Sequence, residues 1–113
     1  MERIILGRIE EYLTRRGYSI ADREWHGSEG AVVLLAVERG EFVVVIVKVR
    51  TRGRSHAPLE KISQATQKRL RGLAVEWLRA HGQSYDRIRI DAVEYLAEGP
   101  GSYTISHVRG AGS

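Results

Sequence analysis

The sequence predicts an α/β domain in which a central mixed sheet of about five strands is covered by helices, with the element order α-β-β-β-α-β-β. Two almost wholly apolar runs, residues 31–38 and 41–50, are separated only by Arg39-Gly40. Such runs are typical of central strands that are buried on both faces. Segments with helical periodicity stand before and after this hairpin, so we expect a three-layer α/β/α arrangement.

The N-terminal part should form a helix followed by a strand. Ile5, Ile9 and Leu13 recur at helical spacing, which predicts a helix from about Glu2 to Arg16. Gly17 should end it, because glycine is favoured just after a helix C-terminus. We expect a first strand over residues 18–25 and a turn over residues 26–30.

The hairpin should lead through a polar loop into the longest helix. The second strand is predicted over residues 31–38 and the third over residues 41–50, followed by a basic loop at 51–57. Pro58 suits the first turn of a helix, and apolar residues then recur every three or four positions to Ala80. We therefore predict a helix over residues 58–80.

The remaining chain should complete the sheet. Residues 87–96 and 103–108 are predicted strands, and Glu98-Gly99-Pro100-Gly101 is a predicted turn. We expect one domain over residues 1–109 and a frayed end at 110–113.

Composition narrows the class of protein. The chain has 113 residues and no cysteine, which excludes disulfides and thiolate zinc sites. It has no apolar run near the roughly 18 residues that a membrane span needs. The first residues do not read as a signal peptide, so we expect a cytoplasmic protein without a membrane partner.

The positive charge is concentrated in one segment. Residues 48–71 contain eight basic residues and one acidic residue, Glu60, while the whole chain has a formal net charge of +4. All of the excess charge therefore lies in this segment, which is typical of a surface that meets phosphates or solvent.

Several short patterns in a fixed order suggest a family. They are Tyr12-Leu13, Gly17-Tyr18, Arg23-Glu24-Trp25-His26, the runs 30–35 and 44–50, Arg89-Ile90-Asp91-Ala92-Val93 and His107-Val108. In order and spacing the chain resembles the YraN-type uncharacterised proteins over nearly its whole length. This resemblance implies the fold of restriction endonucleases and Holliday junction resolvases, which is a three-layer α/β/α fold.

The chain departs from that family at the site. The resemblance implies an aspartate and a glutamate that hold Mg²⁺ on neighbouring strands, and a lysine two residues after the glutamate. Here the aspartate position is Val33, the glutamate position is Ile46, and only Lys48 persists. Valine and isoleucine have no oxygen ligand for Mg²⁺, so the usual metal site is absent. For Lys48, a remaining phosphate contact and a solvated strand-end lysine are equally good interpretations.

A cofactor would be expected only if carboxylates had moved to this site. The candidates are Glu10, Glu24, Glu29, Glu41, Glu60 and Asp91. Glu60 is the most plausible donor, although an acidic residue near a helix start is favoured by the helix dipole in any case. The four histidines are far apart in sequence and form no ligand motif.

The leading prediction is a non-catalytic, nuclease-like domain that binds the backbone of DNA or RNA. The predicted contacts are Lys48, Arg50, Arg52, Arg54, Lys61, Lys68 and Arg71. One alternative is an active Mg²⁺-dependent nuclease with relocated acids. The other is a protein-interaction or dimerisation module, for example a homodimer, without a nucleic-acid role.

Overall fold

The computed structural model describes residues 1–111, which form two helices and five strands in the predicted order. They are α1 (Arg3–Arg15), β1 (Ser19–Gly27), β2 (Gly30–Glu38), β3 (Glu41–Thr51), α2 (Gln64–Ala80), β4 (Ile88–Gly99) and β5 (Ser102–Val108). Neither helix is long and apolar enough to cross a membrane.

The five strands form one mixed sheet in the spatial order β1-β2-β3-β4-β5. β3 and β4 are parallel, and the other neighbouring pairs are antiparallel. The β2–β3 turn places Arg39 at φ 54° and Gly40 at φ 75°. Two consecutive positive φ angles are those of the tight hairpin turn that matches the twist of the flanking strands.

Each face of the sheet is covered by one helix. On one face Leu6, Ile9 and Leu13 of α1 pack on a cluster that includes Leu34 and Val45. The opposite face carries a second cluster, in which Leu73 and Trp77 of α2 pack on Leu35, Phe42 and Val44. The predicted α/β fold, with its three layers and five-stranded mixed sheet, is confirmed.

The start of α2 differs from the prediction. The helix begins at Gln64 and not at Pro58, and the Ser63 hydroxyl accepts a hydrogen bond from the Thr66 amide at 3.1 Å. Leu59 is buried in a separate cluster with Ala92 and Ala111. The apolar residues before Ser63 therefore lie in an irregular segment and are buried there, although they are spaced as in a helix.

The segment after β5, where a frayed end was expected at residues 110–113, is hydrogen-bonded to β4 through residues 110 and 111. The Gly110 amide donates to Asp91 Oδ1 at 3.1 Å, and the Ala111 amide donates to the Ile90 carbonyl at 2.8 Å. Ala111 is buried because it packs in the cluster with Leu59. Residues 112 and 113 of that prediction lie outside the described residues.

The central strands separate at one end. β2 and β3 pair from Glu38–Glu41 to Leu34–Val45, although β2 begins at Gly30 and β3 continues to Thr51. β3 instead stays paired with β4 as far as Thr51–Ala97. The divergence opens a gap on the α2 side of the sheet.

Candidate nucleic-acid interface

A cavity of about 160 Å³ lies where β2 and β3 separate. Val33 and Ile46, the positions at which the family resemblance implies acids, both line it. Residues of α2 complete the wall, so the cavity is bounded by two strands and one helix. Its lining consists of Ala31, Val32, Val33, Val45, Ile46, Val47, Thr66, Arg69 and Leu70. This lining contains one cation, Arg69, and no carboxylate.

Lys48 directly follows Val47, the last residue of β3 that lines this cavity. It follows Ile46 by two residues on β3, so both side chains are on the same face of the sheet. Its neighbour on the parallel strand β4 is Glu94. That carboxylate is already paired, because Arg50 Nη1 lies 2.7 Å from Glu94 Oε2.

The residues at this site do not fit Mg²⁺. The ion requires several oxygen ligands in near-octahedral geometry, and the cavity wall offers aliphatic side chains. Within residues 1–111, no group of three or more His, Asp or Glu side chains is placed to hold a metal ion.

The candidate relocated acids are engaged or placed elsewhere. Glu10 pairs with Arg23, Glu24 with the N-terminal amine, and both Glu41 and Asp91 with Arg89. Glu29 lines a different groove, together with Lys68 and Glu76. Glu60 is exposed in the irregular segment before α2.

The predicted basic residues are not equivalent. Arg50 is largely buried, because it pairs with Glu94 and donates to the Ala57 carbonyl at 2.8 Å. Arg71 donates to the Ile88 carbonyl at 2.6 Å, at the start of β4. Lys68 lines the groove that contains Glu29.

The basic loop nevertheless presents cations to solvent. Arg52 is 74% exposed and lies 3.8 Å from Glu98, while Arg54 and Lys61 are exposed. Arg69, which was not among the predicted contacts, contributes to the cavity wall. It belongs to the basic segment of residues 48–71, but spacing along the sequence does not indicate that its side chain meets β2 and β3.

A buried polar network on the α1 face was also missed. Asp91 is completely buried and accepts from the Tyr18 hydroxyl at 2.6 Å, from Arg89 Nε at 2.8 Å and from the Gly110 amide. His107 Nε2 lies 2.9 Å from Asp91 Oδ2. An aspartate between Ile90 and Ala92, inside a predicted strand, is a sequence signal of such a network.

Glu38 extends this network to the β2–β3 hairpin. It accepts from Arg89 at 2.7 Å and from Arg109 at 2.6 Å, and Arg89 also reaches Glu41 at 2.9 Å. Burial opposes ionisation of Glu38, but the two arginine hydrogen bonds outweigh it and lower the pKa of the carboxyl. The network thus joins the hairpin to β4 and to the chain end.

The charge state of the network follows from its contacts. Burial alone would raise the pKa of Asp91, but hydrogen bonds from His107, Arg89 and Tyr18 outweigh it and hold the pKa well below its usual range. Burial, followed by the bond to Asp91, raises the pKa of Tyr18 to about 12. Asp91 is therefore an anion and Tyr18 a neutral donor at neutral pH.

The fold and the cavity define a class of protein: a three-layer α/β protein with a largely apolar cavity between β2 and β3. The chain belongs to the uncharacterised protein family UPF0102, whose model matches residues 7–95. UPF0102 is the family of the YraN-type proteins, so the family membership that the sequence patterns predicted is confirmed.

Related bacterial proteins match most of the chain. A UPF0102 protein of Renibacterium salmoninarum is 40% identical over 116 residues, which cover 97% of this chain and 98% of the relative. A UPF0102 protein of Rhodococcus jostii is 42% identical over 88% of this chain and 85% of its own length. One from Chloroflexus aurantiacus is 41% identical over 86% of this chain and 79% of its own length.

Proposed function

We propose that this protein is a non-catalytic, nuclease-like domain of the cytoplasm that binds the sugar–phosphate backbone of nucleic acid. The observation that carries the proposal is the cavity between β2 and β3, which has Val33 and Ile46 in its wall and no carboxylate. Without hard oxygen ligands this site has no means to polarise a phosphate through Mg²⁺. Binding without cleavage is the function that its remaining groups support.

The proposed contacts are one cation of the cavity wall and cations of the basic segment that are not engaged with the protein backbone or buried. They are Arg69 in the wall, Lys48 directly after the last lining residue of β3, and the exposed Arg52, Arg54 and Lys61. Arginine side chains in an exposed loop suit phosphate, because the guanidinium group donates two parallel hydrogen bonds. Arg50 and Arg71 are left out of this set, because their guanidinium groups bond to the protein itself.

Such a surface should bind with strong salt dependence and little base specificity. Each phosphate that is neutralised on duplex DNA contributes roughly −0.9 to the slope of log K against log salt. Four or five such contacts therefore predict a slope of about −4.

A binding and cleavage panel tests the proposal. Anisotropy of a labelled 20-base-pair duplex should show binding at 50 mM salt that weakens steeply by 200 mM, with the substrate intact after incubation with Mg²⁺ or Mn²⁺. The matched variants are Arg54→Gln on the loop and Arg15→Gln on the opposite, α1 side of the sheet. Only the first should reduce the affinity and the slope.

Two outcomes would overturn the proposal. Binding that does not change with salt, or no binding at low salt, would remove the nucleic-acid function and favour an interaction module. Metal-dependent cutting that Lys48→Ala abolishes would show an active nuclease with relocated acids.

A further inference from the structure

We propose that the cavity between β2 and β3 receives a single unpaired nucleobase, so that the protein prefers nucleic acid with a bulged or unpaired nucleotide over a perfect duplex. This inference rests on the proposed function and names the feature that the same site recognises. It assigns a role to the apolar side chains that replaced the acids.

The size of the cavity suits one flat ring. Its volume of about 160 Å³ equals that of roughly five liquid water molecules. Sites for drug-sized ligands usually exceed about 300 Å³, so this one is too small for a whole nucleoside phosphate. A base that leaves its stack is a group of suitable dimensions.

The walls offer what an unstacked base requires. Aliphatic groups of Val33, Ile46 and Leu70 form apolar surfaces for the faces of a ring. Thr66 and Arg69 are the polar members of the lining, and they can meet the hydrogen-bonding edge of the base. Extruded bases are bound in this manner, between apolar side chains with a few polar groups at the edge.

The lack of charge in most of the cavity wall favours a nucleobase over a phosphate as the group inside the cavity. A phosphate placed among valine and isoleucine side chains would lose its hydration without an equivalent set of donors. Phosphates are therefore expected outside, on Lys48 and the exposed loop cations, while the attached base occupies the cavity. A side chain of a partner protein would not bring a row of phosphates to Arg69 and to the exposed cations of the basic loop.

The experiment compares substrates that differ only at one nucleotide. Three labelled DNAs are needed: a perfect duplex, the same duplex with a one-adenosine bulge, and the same bulge with an abasic residue in place of adenosine. The bulged base should bind at least 10-fold more tightly than the abasic bulge at 150 mM salt. Because the two bulges carry the same number of phosphates, this ratio isolates the base.

A cavity-filling variant links the preference to the site. Ile46→Phe should abolish the difference in affinity between the two bulges, which is measured within the same variant. The control is Val49→Phe, because Val49 is an exposed residue of β3 on the opposite face of the sheet. If Ile46→Phe lowers the melting temperature, Val33→Leu provides a smaller filling of the same space.

A second readout follows the base directly. With 2-aminopurine at the bulge, the fluorescence should change on binding to the natural protein and stay constant with Ile46→Phe. Equal affinity for the base and the abasic bulge would overturn this inference while leaving backbone binding intact. An absence of binding to all three DNAs would instead overturn the proposed function.

Discussion

His107 Nε2 lies 2.9 Å from Oδ2 of Asp91, and both side chains are almost entirely removed from solvent. Because Asp91 is an anion, the imidazole nitrogen that faces it carries a proton. In the neutral imidazole the other nitrogen, Nδ1, then accepts from the Tyr12 hydroxyl at 3.2 Å. Tyr12 of α1, His107 of β5 and Asp91 of β4 are thus linked in one chain of hydrogen bonds.

Replacement of Asp91 by asparagine should strongly destabilise the fold. Removal of one partner from a buried ion pair typically costs about 3–5 kcal/mol, because the other charges remain buried. We expect a loss of about 3 kcal/mol in the free energy of unfolding, measured with urea. The matched control is Asp86→Asn in an exposed position, which should change stability by less than about 0.5 kcal/mol. Similar effects of the two variants would contradict the role of the network.

Stability should fall at alkaline pH through Tyr18. Its folded-state pKa of about 12 lies above the ordinary value of 10.0, so the neutral hydroxyl stabilises the fold fully below pH 10. Between pH 10 and 12 this contribution is lost at up to about 1.4 kcal/mol per pH unit. The urea midpoint of the natural protein should drop in this window more than that of Tyr18→Phe. Parallel pH profiles would show that the hydroxyl does not contribute.

Restoration of the missing acids should create a metal site. Val33→Asp and Ile46→Glu together place two carboxylates in the cavity wall. We expect the double variant to bind Mn²⁺ by calorimetry, with a melting temperature that rises with Mn²⁺ concentration. Val49→Glu adds one carboxylate on the other face of β3 and should show neither effect. A double variant without Mn²⁺ binding would indicate that the two positions do not converge.

Arg50 and Arg54 should separate stability from binding. The Arg50 guanidinium is only 11% exposed and lies 2.7 Å from Glu94, so Arg50→Gln leaves a partly buried carboxylate unpaired. We expect it to cost about 2 kcal/mol of stability. Arg54→Gln should leave unfolding unchanged and reduce the salt slope of nucleic-acid binding by about 1. If Arg50→Gln reduced the salt slope and Arg54→Gln lowered the stability, the roles given to these two arginines would be wrong.

Pattern in the sequence was sufficient for the layers of the fold but not for the start of α2. The apolar runs on either side of Arg39-Gly40 could only be central strands, and the structure has them there. Leu59 and Ile62 continued the helical spacing backwards from α2. Their burial comes instead from contacts with the irregular chain and the far end of the sheet, which a local pattern does not contain.

The candidate site could be predicted only in part, because local patterns place side chains on a face of a strand but do not give their distant partners. Alternation along β3 was enough to place Lys48 and Ile46 on one face, and Ile46 lines the cavity. The sequence could not reveal that Arg50 is held by Glu94, because their partnership depends on the register of two parallel strands. The network around Asp91 was equally inaccessible, since it joins residues from Tyr18 to Gly110.

The parallel pairing of β3 with β4 also bears on how the chain reaches this structure. It is the longest of the four strand pairings, and its first residue pair is Phe42–Ile88. The intervening chain, including the basic loop and all of α2, must be bridged before that pair forms. Closing so long a loop lowers the entropy of the chain before the stabilising contacts have formed. Proteins whose contacts join distant parts of the sequence therefore fold more slowly. The β2–β3 hairpin can close early, whereas docking of β4 is expected to limit the rate of folding.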